Sequence, residues 1–341
     1  MGEKVFDLGI PKRGAKSESM KTCLIHEKAI ERMSDRLGAF SEKVRILACS
    51  EDGTLTDQTS GEVVTPDAFD IVYGSGEIFT AKFGKVFFNL LADGPGIDWF
   101  QSSAAGLDHP ALAALCEKSG QYTTTHTQAE AMAEWVLWQA LDWLKLGPVH
   151  RAQKADHKWR KLLQREIMGS NWLIVGFGSI GEAVGRRVKA LGGHVTGLRR
   201  TPEASPSADR VLPMSDLDTL LPEADIVLLC LPLTDESSGL ANAGFFSRMK
   251  SDALFMNVGR GGLVDEDALV EALEAGRPSY AALDVTVTEP LPDDHAFWDH
   301  EKISLTPHDS PVTAGTIARA DATFLDNLER YLSGQPLRNL V

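Results

Sequence analysis

The stretch Asn171 to Gly181, NWLIVGFGSIG, constrains this chain more than any other. A short apolar run reads as a buried strand, glycines at 176, 178 and 181 follow with G-x-G-x-x-G spacing, and EAVGRRVKAL continues as a helix. Strand, tight turn and helix in that order are expected to form a dinucleotide cradle, the alternative being a glycine-rich turn with no ligand. The first glycine lets the chain turn, the second lets backbone approach a pyrophosphate, and the third lets helix pack on strand. Phosphates would then sit at a helix N-terminus, where amides without partners and the macrodipole favour negative charge. Gly176, Phe177, Gly178, Ser179, Ile180 and Gly181 are the expected cradle, and the spacing of Ser179 and Glu182 predicts a capping box at the helix start.

A chain of 341 residues, 43% hydrophobic, has the length for two domains and the apolar content for two cores. Its net charge of -14 argues against a nucleic-acid partner. The basic run from Arg151 to Arg165 is broken by Asp156 and reads as a solvated arm. Cys23, Cys49, Cys116 and Cys230 are far apart and show no metal or redox spacing, so buried thiols in a reducing, cytoplasmic setting are expected, with no metal. No apolar run is long enough to span a membrane, so no membrane partner is expected. Residues 1–19 read as a poorly ordered extension.

Before the glycine turn, the runs KTCLIH, VRILAC, FDIVYG and IDWFQSS alternate with helix-like stretches, the pattern of a parallel sheet with crossover helices. The turn after the last of them, SSAAGLD, has Asp108 as a candidate cap for PALAALCEK. It reads either as an anion-binding nest of backbone amides or as a plain strand-to-helix connection. Thr127 and Glu130 predict a second capping box, opening a long helix that ends at Gly147 and Pro148. Its Trp135, Trp138 and Trp143 read as packing residues rather than cofactor contacts. After the turn, the runs HVTGL, ADIVLLCLP, DALFMNVG, SYAALDV and KISLTP predict a second doubly wound sheet. Arg199, Pro232, Arg260, Asp284 and His308 stand at or past its strand ends, where such sheets bind ligands. Residues 311–331 read as a helix with no strand after it.

Where an acid would hold the adenine ribose hydroxyls of NAD, this chain has Arg199 and Arg200, which suit a ribose 2′-phosphate; NADP is expected over NAD. Arg260 offers a fork of donors to a carboxylate or carbonyl oxygen. Glu289 is expected to pair with a histidine, since a carboxylate beside an imidazole orients it and stabilises its charged form. His308 is the candidate by its strand-end position, while His295 and His300 are closer in sequence.

These motifs carry a resemblance. NVGRGGLVDEDALVEALEAG, then ALDVTVTEPLP, then LTPH, together with VGFGSIG, are similar to the D-isomer-specific 2-hydroxyacid dehydrogenases, nearest to their glyoxylate and hydroxypyruvate reductase branch, from about Met20 onward. The resemblance implies two doubly wound α/β domains, a Rossmann nucleotide domain (125–310) with a dimerisation arm, inserted into a flavodoxin-like substrate domain (20–124 and 311–341). The lobes would hinge near Thr125 and Pro311, and the chain would act as a homodimer on a small 2-oxoacid or 2-hydroxyacid. It further implies that Arg260 binds the oxoacid, His308 is the acid and base, and Glu289 orients and charges it. Ala105 and Gly106 would hold the substrate carboxylate through backbone amides, and Asp284 would lie near the nicotinamide. Leu231, Pro232, Val258 and Ser310 complete the expected cofactor contacts. TPHDSP and AFW depart from the family's usual TPH followed by small residues and PLW, and bear on pocket shape. The alternatives are a D-lactate or phosphoglycerate type of dehydrogenase, or a cofactor-sensing scaffold of the same fold without turnover.

Overall fold

The computed structural model describes residues 20–341 except 66–67, 93, 95 and 108, so the expected extension 1–19 and the Asp108 cap lie outside the described residues. Two compact units divide the chain: residues up to Thr125 together with Ile317–Val341, and His126–Thr316.

The first unit contains β1 (Lys21–His26), α1 (Glu27–Leu37), β2 (Val44–Cys49), β3 (Leu55–Asp57), β4 (Phe69–Gly74), α2 (Ala81–Ala92), β5 (Ile97–Ser102), α3 (Pro110–Lys118) and β6 (Ser119–Thr123). The sheet order is β3-β2-β1-β4-β5-β6. All neighbours are parallel except β2 and β3. Without the antiparallel edge strand this is the flavodoxin-like order. Alternation along the strands feeds two cores: Leu24 and Val72 face one, Cys23, Ile25, Ile71 and Tyr73 the other.

The second core is completed by Phe324, Leu325 and Leu328 of α10 (Ala314–Leu332), which covers the sheet of the first unit. The Tyr73 hydroxyl donates to Asp321 Oδ1 (2.8 Å), and Arg32 Nε donates to Asp321 Oδ2 (2.8 Å), so the buried helix carboxylate is neutralised and hydrogen-bonded. Arg32 also reaches Glu77. Burial pushes the Glu77 carboxyl up, but bonds from Arg32 and Ser75 outweigh it and bring it down to about 2.

The second unit runs through α4 (Ala129–Leu144), α5 (Gly147–Ala155), β7 (Asn171–Val175), α6 (Ser179–Ala190), β8 (His194–Leu198), β9 (Arg210–Leu212), α7 (Leu217–Leu220), β10 (Ile226–Leu229), α8 (Ala243–Arg248), β11 (Leu254–Asn257), α9 (Glu266–Glu274), β12 (Tyr280–Leu283) and β13 (Ile303–Leu305). The order β13-β12-β11-β10-β7-β8-β9 is wholly parallel. Counted from β7, it is the Rossmann order with one extra edge strand. The strand order reverses between β7 and β10, so the loops after those two strands flank the switch point.

Several local expectations are corrected. The helix at the glycine turn begins at Ser179 as expected, but Gly178 is its cap position and no side chain caps it, so the Ser179–Glu182 box does not form. The α4 cap position is Gln128 rather than Thr127, and the Glu130 carboxylate meets Arg186 and Arg187 of α6 instead. Gly147 and Pro148 open α5 rather than end α4; the break is Lys145–Leu146, with Leu146 left-handed at φ 55°. The arm therefore starts as a helix. Trp135 and Trp143 are buried as expected, whereas Trp138 is exposed. Among the described residues no helix is long and apolar enough to cross a membrane, and no group of His, Cys, Asp and Glu could hold a metal ion.

Candidate functional site

The turn after β7 is built around Gly176, whose φ of 97° is left-handed and whose missing Cβ would meet Leu231 N at 2.6 Å. That contact joins the two loops at the switch point. A Cβ on Gly181 would meet Gly176 O at 2.9 Å, so the helix sits as close to the strand as the third glycine permits. A Cβ on Gly178, by contrast, would point into open space. The first-turn amides of α6 have no intrahelical acceptors and no side-chain cap, which leaves Ser179, Ile180 and Gly181 able to receive an anion. Phe177 is 1% exposed, with its ring in the core, and its amide donates to Leu198 O (2.8 Å). Its part is to anchor the turn.

Arg199 and Arg200 follow β8 directly. Arg199, half-buried, lies 3.9 Å from exposed Glu203, a loose pair, and Arg200 is exposed. Past β10, Leu231 is half-buried and Pro232 exposed. Burial pushes the neighbouring Cys230 thiol up to about 12, which keeps it a neutral donor to Gly176 O (3.1 Å). Val258 is buried, and its amide donates to Leu229 O (3.0 Å).

Arg260 is held by its loop. Asn257 Nδ2 donates to Arg260 O (2.9 Å), and Gly259 N donates to Asn257 Oδ1 (3.0 Å). One guanidinium nitrogen donates to Gly259 O (2.7 Å). At Gly261 a Cβ would stand 1.9 Å from Thr286 C and 2.3 Å from Val287 N, so only glycine lets the Arg260 loop lie against the segment that leads to Glu289.

Glu289 uses both oxygens. Oε1 accepts from Thr286 N (3.1 Å), and Oε2 lies 2.7 Å from His308 Nδ1. A carboxylate only accepts, so Nδ1 carries the proton and Nε2 is left for another partner. Of the three histidines open to Glu289, His308 is the one it meets: His295 lies 3.4 Å from Glu266, and His300 Nδ1 accepts from Lys302 N. His308 adopts a left-handed φ of 54°, a conformation that costs a non-glycine residue energy and that its neighbours must enforce. Asp284 enforces it. Its carbonyl accepts from His308 N (2.8 Å), and its buried carboxylate accepts from Thr306 Oγ1 (2.6 Å), Asp309 N (3.1 Å) and Ser310 N (3.2 Å). The Ser310 hydroxyl, in a residue 4% exposed, has no hydrogen-bond partner among the described residues.

In the first unit, the turn after β5 is fixed by Ser103 N donating to Gly74 O (2.9 Å) and Ala104 N to Ser102 Oγ (3.0 Å). Among the described residues the amides of Ala105 and Gly106 have no acceptor.

Comparison with known proteins decides the family. Residues 137–310 match the model of the D-isomer specific 2-hydroxyacid dehydrogenase NAD binding domain. The chain belongs to the D-isomer-specific 2-hydroxyacid dehydrogenase family. It is similar to the glyoxylate/hydroxypyruvate reductase B of Escherichia fergusonii, 41% identical over 170 residues, which span 49% of this chain and about half (52%) of that enzyme. Among solved structures, a family protein from Aeromonas salmonicida is 28% identical with a TM-score of 0.78, over 95% of this chain and 99% of that one. An NADPH-dependent glyoxylate/hydroxypyruvate reductase from Sinorhizobium meliloti, in complex with NADP and sulfate, is 25% identical with a TM-score of 0.74, over 95% and 98%.

The residues of this dehydrogenase fit the cofactor its family binds: the space at Gly178, the uncapped start of α6 and the orphaned Ser310 hydroxyl each offer a polar group or room that the protein itself does not use. Sequence reasoning did not single out Asn257, Glu266 or Thr306. Each acts by holding a neighbouring loop, a role with no spacing signature.

Proposed function

We propose that this dehydrogenase reduces a small 2-oxoacid of the glyoxylate or hydroxypyruvate type to the D-2-hydroxyacid, with NADPH preferred. The observation that carries the reading is the 2.7 Å contact of Glu289 with His308 Nδ1, which aims Nε2 outward as a proton donor. The nicotinamide, when bound, supplies the hydride. Negative charge then grows on the substrate carbonyl oxygen, and His308 Nε2 donates a proton there while Arg260 holds the same oxygen or the adjoining carboxylate. Glu289 keeps the imidazole oriented through Nδ1. The amides of Ala105 and Gly106 are suited to the substrate carboxylate, and those of Ser179, Ile180 and Gly181 to the pyrophosphate. Gly176, Phe177, Gly178, Leu231, Pro232 and Val258 line the cofactor site, and Ser310 offers a polar contact. Asp284 holds the His308 turn beside it.

Arg199 and Arg200 support the cofactor preference, because a 2′-phosphate placed past β8 meets guanidinium groups and no carboxylate at the strand end itself. Steady-state reduction of a panel of small 2-oxoacids with each cofactor tests both halves. Turnover of glyoxylate or hydroxypyruvate with a higher kcat/KM for NADPH is expected, and Arg199→Asp should shift preference toward NADH. Equal kcat/KM for the two cofactors overturns the preference, and no turnover of any 2-oxoacid favours a cofactor-sensing scaffold.

A homodimer belongs to the same reading. Trp159 and Leu163 are 98% and 97% exposed on the arm, and Met168 and Trp138 are exposed in the same unit, an apolar set that a second copy would cover. Sedimentation at micromolar concentration should give a dimer; a monomer there removes this part of the proposal.

A further inference from the structure

We propose that Glu266 is a positioning residue for Glu289, acting through the segment Thr286–Glu289, with His295 as its own support; the inference rests on Glu289 and His308 being the acid–base pair. Glu266 is the first residue of α9, yet the cap of that helix is Asp265, whose side chain accepts from Ala268 N (3.0 Å). Glu266 is therefore not the cap of its own helix. Its side chain is only 17% exposed, and a carboxylate so enclosed needs partners. It has two. Oε1 accepts from Val287 N (2.8 Å), and Oε2 faces His295 Nε2 at 3.4 Å.

The Val287 amide adjoins the Thr286 amide, which donates to Glu289 Oε1. Two successive backbone donors are thus fixed by two different carboxylates, one from α9 and one from the proposed acid–base pair. On its other side the same backbone lies against Gly261, next to Arg260. His295 is suited to hold Glu266 rather than to act on substrate. Its Nδ1 accepts from Phe297 N (3.3 Å), which places the proton on Nε2, and its ring packs edge-on against buried Phe297 at 4.6 Å. Without the Glu266 carboxylate, Val287 N loses its acceptor and the segment that aims Glu289 loses an anchor. Glu289 then spends less time on His308 Nδ1, and proton donation slows. Most of the proposed cofactor contacts lie on the loops after β7, β8 and β10, and none of them bonds to Glu266 or Val287.

The test is steady-state reduction of glyoxylate with NADPH by the native protein and by Glu266→Ala, Glu266→Gln, Glu289→Gln and Glu266→Ala/Glu289→Gln. Glu266→Ala should lower kcat by about 10- to 100-fold, the scale on which supporting groups act on the side chains they orient, with KM for NADPH unchanged. Glu266→Gln should recover most of that loss, because its amide oxygen still accepts from Val287 N. The double variant should be no slower than Glu289→Gln alone, since both losses act on one pair. Unchanged kcat in Glu266→Ala, or fully additive losses in the double variant, overturns the inference. A change in KM for NADPH equal to that in kcat also overturns it, by pointing to general loosening of the fold. If Glu289→Gln and His308→Ala are themselves as active as the native protein, it is the acid–base assignment that fails, a result separable from the first.

Discussion

Replacing His308 with alanine is expected to lower kcat for 2-oxoacid reduction by about 10²- to 10⁴-fold, the range for loss of a general acid, with KM for the cofactor little changed. The split follows from where the imidazole stands. Its Nδ1 is taken by Glu289 at 2.7 Å, and its backbone is held by Asp284, so the ring has one free nitrogen and little freedom to point elsewhere. A hydride reaching the carbonyl carbon leaves an alkoxide that needs a proton. A donor fixed in advance stabilises the charge as it forms, more than it stabilises the ground state. Glu289→Gln should give a smaller loss in kcat, because an amide still reaches Nδ1 but does not offset the imidazolium charge. Near-native reduction by His308→Ala of every oxoacid the native protein turns over would sink the assignment. His295 is then a poor substitute, since Glu266 and Phe297 already occupy it.

The two sheets were legible from apolar runs: the residues that form β1, β2, β4, β5, β7, β8 and β10 to β13 read as strands from pattern alone. The strands that went unread are β3, β6 and β9. Two of them are edge strands of LTD and RVL, too short to show a period; the third, SGQYT, is largely polar because it too lies at a sheet edge. The capping boxes misled for a local reason. Ser179 and Thr127 have the right residues three positions apart, but at α6 the glycine turn sets the entry of the chain, and at α4 the arginines of α6 draw Glu130 away. A capping box is a local interaction and yields to a stronger demand on the same side chains.

Within the site, strand-end position was enough to nominate Arg260, Asp284 and His308, because a parallel sheet delivers its loops to one edge. Position was not enough to choose among His295, His300 and His308 as the partner of Glu289. That choice depends on the left-handed turn at His308 and on the bonds from Asp284 that hold it, and neither leaves a mark in residue spacing. The supporting roles of Asn257 and Glu266 are hidden for the same reason: each binds a backbone amide or carbonyl, and a backbone partner has no sequence signature.

Arg260→Ala is expected to lower kcat by about 10²- to 10³-fold, as loss of a donor aimed at a developing oxyanion does, and to raise KM for the oxoacid as well. Both parameters should move because the proposed reading gives the side chain two tasks: to hold an anionic substrate before reaction, and to meet added charge on the carbonyl oxygen during it. The loop around it is built to allow no drift. Asn257 bonds across it to the Arg260 carbonyl, and Gly261 lies so close to Thr286 and Val287 that any side chain there would displace it. Arg260→Lys should recover little, since a single ammonium has neither the reach nor the planar fork that grips two oxygens at once. Measured over a range of glyoxylate concentrations, a rise in KM with kcat untouched would reduce Arg260 to a residue for binding alone. Full recovery by lysine would show that charge, and not the geometry that this loop fixes, is what the substrate requires.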